Sequence, residues 1–261
     1  MLKKRLIPCL LLKNGLLVRS ESFSIHQVLG NPIHEVERFN TWSVDELIYL
    51  DISQEDYYDL RRDDMKVKSR NHPLDILEDV SRSCFMPLTF GGRIRALSDI
   101  RDRISRGADK VTLNTAALET PDLITEGARA FGNQAIVVSI DAKRHDSGRH
   151  EVFCGGRTPT GRDPAEWARE AESLGAGEIF LNSIDRDGTA RGYDLDLIQK
   201  VVAATSVPVI ACGGVGSYED FVAGIRAGAS AVSAANIFHF KELSDRQAKK
   251  VMRAAGVDVR L

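Results

Sequence analysis

Two glycine pairs, one aspartate ending an apolar run and four charges opening other runs are the residues here whose types and spacing can do chemistry. Gly91-Gly92 follows PLTF, and Gly213-Gly214 follows PVIAC. Glycine reaches positive φ without strain and lets successive N–H groups converge on an anion, so each pair is a candidate phosphate turn. Asn114-Thr115 and Ala235-Asn236 end the next apolar runs and would complete two such sites. Asp141 ends VVSID, where a carboxylate is a candidate general acid or base; the competing reading is a loop salt bridge to Lys143 or Arg144. Asp51 and Asp187-Gly188 are placed similarly, although Asp-Gly is also a turn sequence. Arg5, Glu46, Lys110 and Glu178 stand at the opposite ends of their runs. Two cations and two anions can neutralise each other as a stabilising ring, or gate the end of a channel.

Such residues need elements to hold them. Short apolar runs alternate with amphipathic stretches, which predicts strands at 5–12, 47–52, 87–90, 110–113, 135–141, 178–182, 208–212 and 231–234. Helices are expected at 32–41, 73–83, 97–107, 121–131, 163–175, 194–205, 217–227 and 241–255, and His239 in NIFHFKE, just ahead of that last range, reads as part of the last helix. Ser98-Asp99, Ser217 and Thr120-Pro121 supply helix-start chemistry. Eight βα units in 261 residues predict an α/β chain folded as one (βα)8 TIM barrel spanning 1–261. The halves repeat: residues 87–111 lie over 208–232 without a gap, and DELIYLD (45–51) lies over GEIFLNS (177–183). In such barrels the carboxyl ends of the strands carry the chemistry, and the amino ends carry stability. Two connections, 13–31 and 53–72, exceed the length of an ordinary loop and are expected as binding loops, lids or surface insertions. Pro8 lies inside the first strand, where a bulge or an unpaired position is expected.

Composition sets limits. With 43 % apolar and 28 % charged residues the chain is ordinary for a globular protein, and a net charge of −2 gives no reason to expect nucleic acid. No apolar run approaches the ~20 residues of a membrane helix, and Leu6–Leu12 is short for a signal sequence, so a cytoplasmic protein is expected. Cys9, Cys84, Cys154 and Cys212 are widely spaced, which predicts reduced thiols and neither a zinc site nor disulfides; no metal or cofactor is expected.

The repeat also exposes a gap. Laying strand 1 over strand 5 puts Lys13 on Lys143 and Leu11 on Asp141. Leucine cannot transfer a proton, so a mechanism needing paired carboxylates at these positions is disabled.

The run ADKVTLNTAA, QAIVVSIDAKR, GAGEIFLNSIDRDGT, GYDLDLI and AANIFHFKE, in this order, resembles HisF, the cyclase subunit of imidazole glycerol phosphate synthase. The resemblance covers nearly the whole chain, with a longer 53–72 segment than that family carries. It implies a barrel that takes ammonia from a glutaminase at its amino face and uses two aspartates on a bis-phosphorylated ribonucleotide at the other mouth. Asp141 then matches the second catalytic aspartate. Asn114, Thr115, Asp187, Gly188, Gly213, Gly214, Ala235 and Asn236 fall on phosphate or mouth positions, Arg5, Glu46, Lys110 and Glu178 on the ammonia gate, and Asp109 on a glutaminase contact. The departures are Leu11 for the first aspartate, Arg19 for a lysine, Arg93 for a glycine and Asn236 for a serine. IPCLLLKNG, with leucine in the aspartate seat, is similar to HisF-like proteins of surface-polysaccharide clusters. These are thought to pair with a HisH-like glutaminase and a separate sugar amidotransferase to make acetamidino sugars. That expectation stands beside an authentic cyclase and a catalytically silent scaffold that activates a glutaminase.

Overall fold

The computed structural model describes residues 3–42, 44–54, 58, 70, 72–240 and 244–260. In chain order its strands are β1 (Arg5–Lys13), β2 (Leu16–Glu21), β3 (Ile25–Gly30), β4 (Leu47–Asp51), β5 (Leu88–Gly91), β6 (Lys110–Leu113), β7 (Ile136–Arg144), β8 (His150–Cys154), β9 (Thr158–Pro159), β10 (Glu178–Ser183), β11 (Val209–Cys212) and β12 (Ala231–Ala234). The helices are α1 (Pro32–Thr41), α2 (Pro73–Ser83), α3 (Leu97–Ser105), α4 (Thr115–Glu119), α5 (Asp122–Phe131), α6 (Pro164–Leu174), α7 (Leu195–Ala204), α8 (Tyr218–Arg226), α9 (Ile237–Phe240) and α10 (Ser244–Ala254).

Eight of the strands close into a parallel barrel in the order β1, β4, β5, β6, β7, β10, β11, β12, with β12 returning to β1. Each wall strand is covered on both faces, which is why it reads as a continuous apolar run. Side chains alternate along β1: Leu6, Leu10 and Leu12 join the layer under the helices, while Ile7, Cys9 and Leu11 face the interior. Ile48, Val137, Phe180, Ile210 and Ala231 fill that interior with them. Helix α6 illustrates how the outer layer is set. Asp163 Oδ1 accepts the Ala165 and Glu166 N–H groups at 2.8 and 3.2 Å, Pro164 opens the first turn, and Gly175 ends the helix at φ 112°. Trp167, Ala168 and Ala171 form its buried stripe, and truncating Trp167 to alanine would cost about 3–5 kcal/mol.

The half-barrel repeat is visible in the backbone. Gly92 and Gly213 have φ of 97° and 93°. A Cβ on Gly92 would lie 2.1 Å from the Asp51 carbonyl oxygen, and one on Gly213 would lie 2.7 Å from that of Ser183, the residue matched to Asp51 in the repeat. Asp99 Oδ2 accepts the Arg95 and Ala96 N–H groups, as Asp220 Oδ2 accepts those of Gly216 and Ser217. Ala96, rather than Ser98, therefore caps α3, and Pro121 is itself the cap of α5 instead of its first helical residue.

Other expectations need correction. Residues 13–31 form a hairpin, with β2 antiparallel to β1 and to β3. The turn between β1 and β2 is Asn14-Gly15, both at positive φ, an Asn-Gly signal between apolar flanks that calls for a hairpin. The fifth barrel strand likewise runs on to Arg144 and doubles back through β8 and β9. Pro8 takes the unpaired alternative and makes no bulge: it is in register with Ala234 on one edge and has no β4 partner on the other, so a missing donor disturbs a strand paired on one side. His239 lies in the separate α9, ahead of the last helix. Burial, with Arg38 nearby, lowers its pKa to about 4. The 53–72 segment falls largely outside the described residues, apart from 53–54, Tyr58, Arg70 and His72. Among the described residues, no helix is long and apolar enough to cross a membrane, and all four cysteines are free.

Candidate functional site

The β7 positions that face inward are Val137, Ser139 and Asp141, so the alternation delivers the Asp141 carboxylate to the top of the barrel interior. It is held there by two amides. Asn114 Nδ2 donates to Asp141 Oδ2 at 3.0 Å and to the Ser139 carbonyl at 3.3 Å, while Asn114 Oδ1 accepts the Gly155 N–H at 3.1 Å. Asn182, opposite Asp141 in the β7–β10 register, is its second side-chain partner. Burial raises the Asp141 pKa to about 7 against these two donors, and the Asp187 charge adds to the rise. A carboxyl divided between its two forms near neutrality suits general acid–base work. Asn114 is thus brought to the site as the residue that orients Asp141, with both ends of its amide engaged. Leu11, by contrast, joins Leu50 and Cys212 at the apolar upper edge of the interior.

The hairpin roofs the second candidate anion turn. Ser20 Oγ donates to Asp187 Oδ2 at 2.7 Å, and the Phe23 N–H donates to the same oxygen at 3.3 Å. The Ser22 N–H reaches the Asp187 carbonyl at 2.9 Å, and Asn236 Nδ2 donates to the Ser20 carbonyl at 3.0 Å. Burial raises the Asp187 pKa despite these donors. Gly188 is needed for closeness as well as for its φ of 70°, since a Cβ there would lie 2.5 Å from the Ser20 carbonyl. Asp187, Gly188 and Asn236 are therefore drawn together by the 13–31 segment, the first of the two long connections singled out in the sequence. Gly214 packs on the loop after β10: the Gly192 N–H donates to its carbonyl at 2.8 Å. Ala235 precedes Asn236 on the same rim, ahead of α9.

The first turn differs. Arg93 follows Gly91-Gly92 at φ 54°, matching Gly214 in the repeat, so an arginine occupies a backbone position that favours glycine. Its Nε lies 3.0 Å from Asp51 Oδ2, and its guanidinium sits 5.2 Å from the centre of the Tyr58 ring. Asp51 also accepts from Ser53 N, Ser53 Oγ and Tyr58 Oη at 3.1, 2.5 and 3.1 Å. Asp51 is thereby an anchor for the first rim, and Arg93 folds onto it. Thr115 is exposed at the start of α4. Arg93→Gly should cost a net ~2 kcal/mol: removing one partner of a buried pair costs ~3 kcal/mol or more, and relaxing the positive φ recovers ~1. Urea denaturation reads this; an unchanged midpoint would mean that solvent already screens the Arg93–Asp51 pair.

At the amino end the four predicted charges do meet. Arg5 Nη1 lies 2.7 Å from Glu46 Oε1 and 2.9 Å from Glu178 Oε1; Lys110 Nζ lies 3.0 Å from Glu46 Oε2 and 3.2 Å from Glu178 Oε1. Each cation bridges both anions, so the ring is neutral and closes the axis below Ile7 and Ile48. Asp109 is exposed on the same face, with Oδ2 accepting the Leu88 N–H at 2.8 Å. Asp45 grips Leu6 in the same way, so this contact serves the barrel itself. Phe85, between α2 and β5, is 87 % exposed nearby in the chain.

Sequence reading missed Asn182 and Tyr58 as partners of the mouth aspartates. The first stood within reach, as a polar residue at a strand end facing the same way as Asp141. The barrel fold agrees with the comparison to known proteins: a model of the histidine biosynthesis protein family matches residues 5–244, and this chain belongs to that family.

Proposed function

We propose that this chain is a HisF-like, ammonia-channelling subunit of a glutamine-dependent amidotransferase system. It passes ammonia from a HisH-like glutaminase through the barrel for acetamidino modification of a surface-polysaccharide sugar. The observation that carries the reading is the contrast between the two ends: a closed neutral ring of Arg5, Glu46, Lys110 and Glu178 below, and Leu11 in the seat of a catalytic carboxylate above. Between them the interior is mainly apolar, with Ile7, Cys9, Ile48, Val137, Phe180, Ile210 and Ala231 lining it beside the inward-facing Ser139. An apolar path admits neutral ammonia and penalises ammonium, because an unpaired charge leaves water at great cost. Glu178 Oε2 is a buried acceptor without a donor among the described residues, and an ammonia N–H can satisfy it. The glutaminase would dock on the amino face, where Asp109 and exposed Phe85 lie; the amidotransferase or a phosphate-bearing substrate would meet the other mouth.

One observation favours a second reading, the histidine-pathway cyclase: Asp141 retains a pKa near neutrality and two amide partners. Ammonia-dependent turnover of the cyclase's bis-phosphorylated ribonucleotide separates the two. Wild type should show none above background, and Leu11→Asp should gain measurable turnover. Robust wild-type turnover would return the protein to histidine biosynthesis.

A further inference from the structure

Outside the mouth, β8 and α7 bring together three groups that lie far apart in sequence. His150, the first residue of β8, and Asp194, the cap of α7, are both buried, while Asp196 is about half exposed. Asp194 Oδ1 accepts the Leu197 N–H at 3.1 Å, and Oδ2 faces His150 Nε2 at 2.9 Å. An ionised carboxylate only accepts, so Nε2 carries the hydrogen toward Asp194, and in the neutral ring this tautomer leaves the lone pair on Nδ1. Nδ1 is buried and has no hydrogen-bond partner among the described residues. The atom opposite it, at 3.8 Å, is Asp196 Oδ2. Two electron-pair donors face each other across a gap too long for a hydrogen bond. That gap matches two ligands sharing one ion at ~2.1 Å each, with an angle near ~130° between them.

We propose that His150 Nδ1 and Asp196 bind one divalent transition-metal ion of the kind that takes mixed nitrogen and oxygen donors, such as Zn2+ or Co2+. Asp194 orients the imidazole from behind, as carboxylates commonly do for metal-bound histidine. One ligand atom from each of the three residues lies within 4.8 Å of the others. Water completes the coordination on the exposed side. Lys200 holds Asp196 Oδ2 at 2.8 Å and must yield that contact, which an exposed lysine does readily. The ion would tie β8 to the start of α7. The residue after β8, Gly155, donates to Asn114, which holds Asp141, so the brace sits one link from the candidate acid–base group.

The test titrates metal-free full-length protein with Co2+, followed by its visible absorption and by calorimetry, with Zn2+ as competitor. One equivalent should bind in the micromolar range. Asp196→Asn, at a half-exposed position that leaves the fold intact, should weaken binding tenfold or more, and His150→Gln at least as much. Nitrogen NMR of the metal-free protein at pH about 7.5 should show His150 with a hydrogen on Nε2 alone. A doubly protonated His150 would overturn the proposal, because a proton then fills the gap. So would the absence of saturable binding below about 1 mM, or binding that Asp196→Asn leaves unchanged.

Discussion

Replacing Lys110 with methionine should make glutamine consumption exceed amidinated product several-fold while the barrel stays folded. The ring holds two carboxylates with two cations, and Lys110 is the smaller partner, in contact with Glu46 at 3.0 Å and Glu178 at 3.2 Å. Without it, Arg5 alone faces both anions, and the lower end of the axis acquires a net negative charge. Such an end holds ammonium more firmly and seals less well, so ammonia leaks to solvent before it reaches the mouth. Glu178→Gln tests the same ring with the opposite charge change and little change in shape. The ring side chains keep 10–21 % exposure, which tempers the ~3–5 kcal/mol cost of breaking a fully buried pair. Thermal melts should therefore show a folded protein in both variants. The measurement is the ratio of glutamate to product in the reconstituted system. A ratio that stays near one in both variants would sink the channel.

Asp141→Asn should change sign with pH in its effect on stability. Burial lifts the native pKa from 3.8 to about 7, so between those values the native state binds a proton that the unfolded chain has lost. The stability contributed by this carboxyl is therefore fully present below pH ~4, falls as pH rises, and is gone above pH ~7. A shift of about three units corresponds to a native-state penalty of up to ~4 kcal/mol at pH ~8. Asparagine cannot ionise and escapes that penalty, but it offers Asn114 and Asn182 one acceptor oxygen where the carboxylate offers two, a loss of ~1–2 kcal/mol. The net expectation is stabilisation on the order of 2–3 kcal/mol at pH ~8 and destabilisation of ~1 kcal/mol at pH ~4. Urea denaturation at the two pH values checks this; destabilisation at both would mean that Asp141 is well solvated in its charged form. Any activity that uses Asp141 as acid or base should be lost at every pH.

The two variants probe features that were unequally legible in the sequence. The barrel and its duplication could be read directly, because wall strands covered on both faces must be apolar and the strand-turn-helix units recur in register. The ring followed from the same logic, since residues that open neighbouring strands share one end. Arg93 was visible as a departure from a glycine, but its direction was not. Only the fold brings Asp51 and Tyr58 close enough to turn a potential anion ligand inward. Asn14-Gly15 carried a hairpin signal that the reading of 13–31 by its length alone passed over. Asn182 was hidden for another reason: orienting a carboxylate is a relation across two strands, and no single-strand pattern encodes it. The His150–Asp194–Asp196 group lies beyond sequence reading altogether, because 44 positions separate its first two members.

The hairpin over the mouth begins as a continuation of β1, where Leu11 is in register with Val18 of β2 and with Leu50 of β4. Its far end is fastened through Ser20, whose hydroxyl reaches Asp187 and whose carbonyl receives Asn236. The hairpin that reaches across the mouth and the inward-facing Leu11 thus belong to a single ladder. A substitution at residue 11 therefore reshapes the interior surface and the base of the hairpin together.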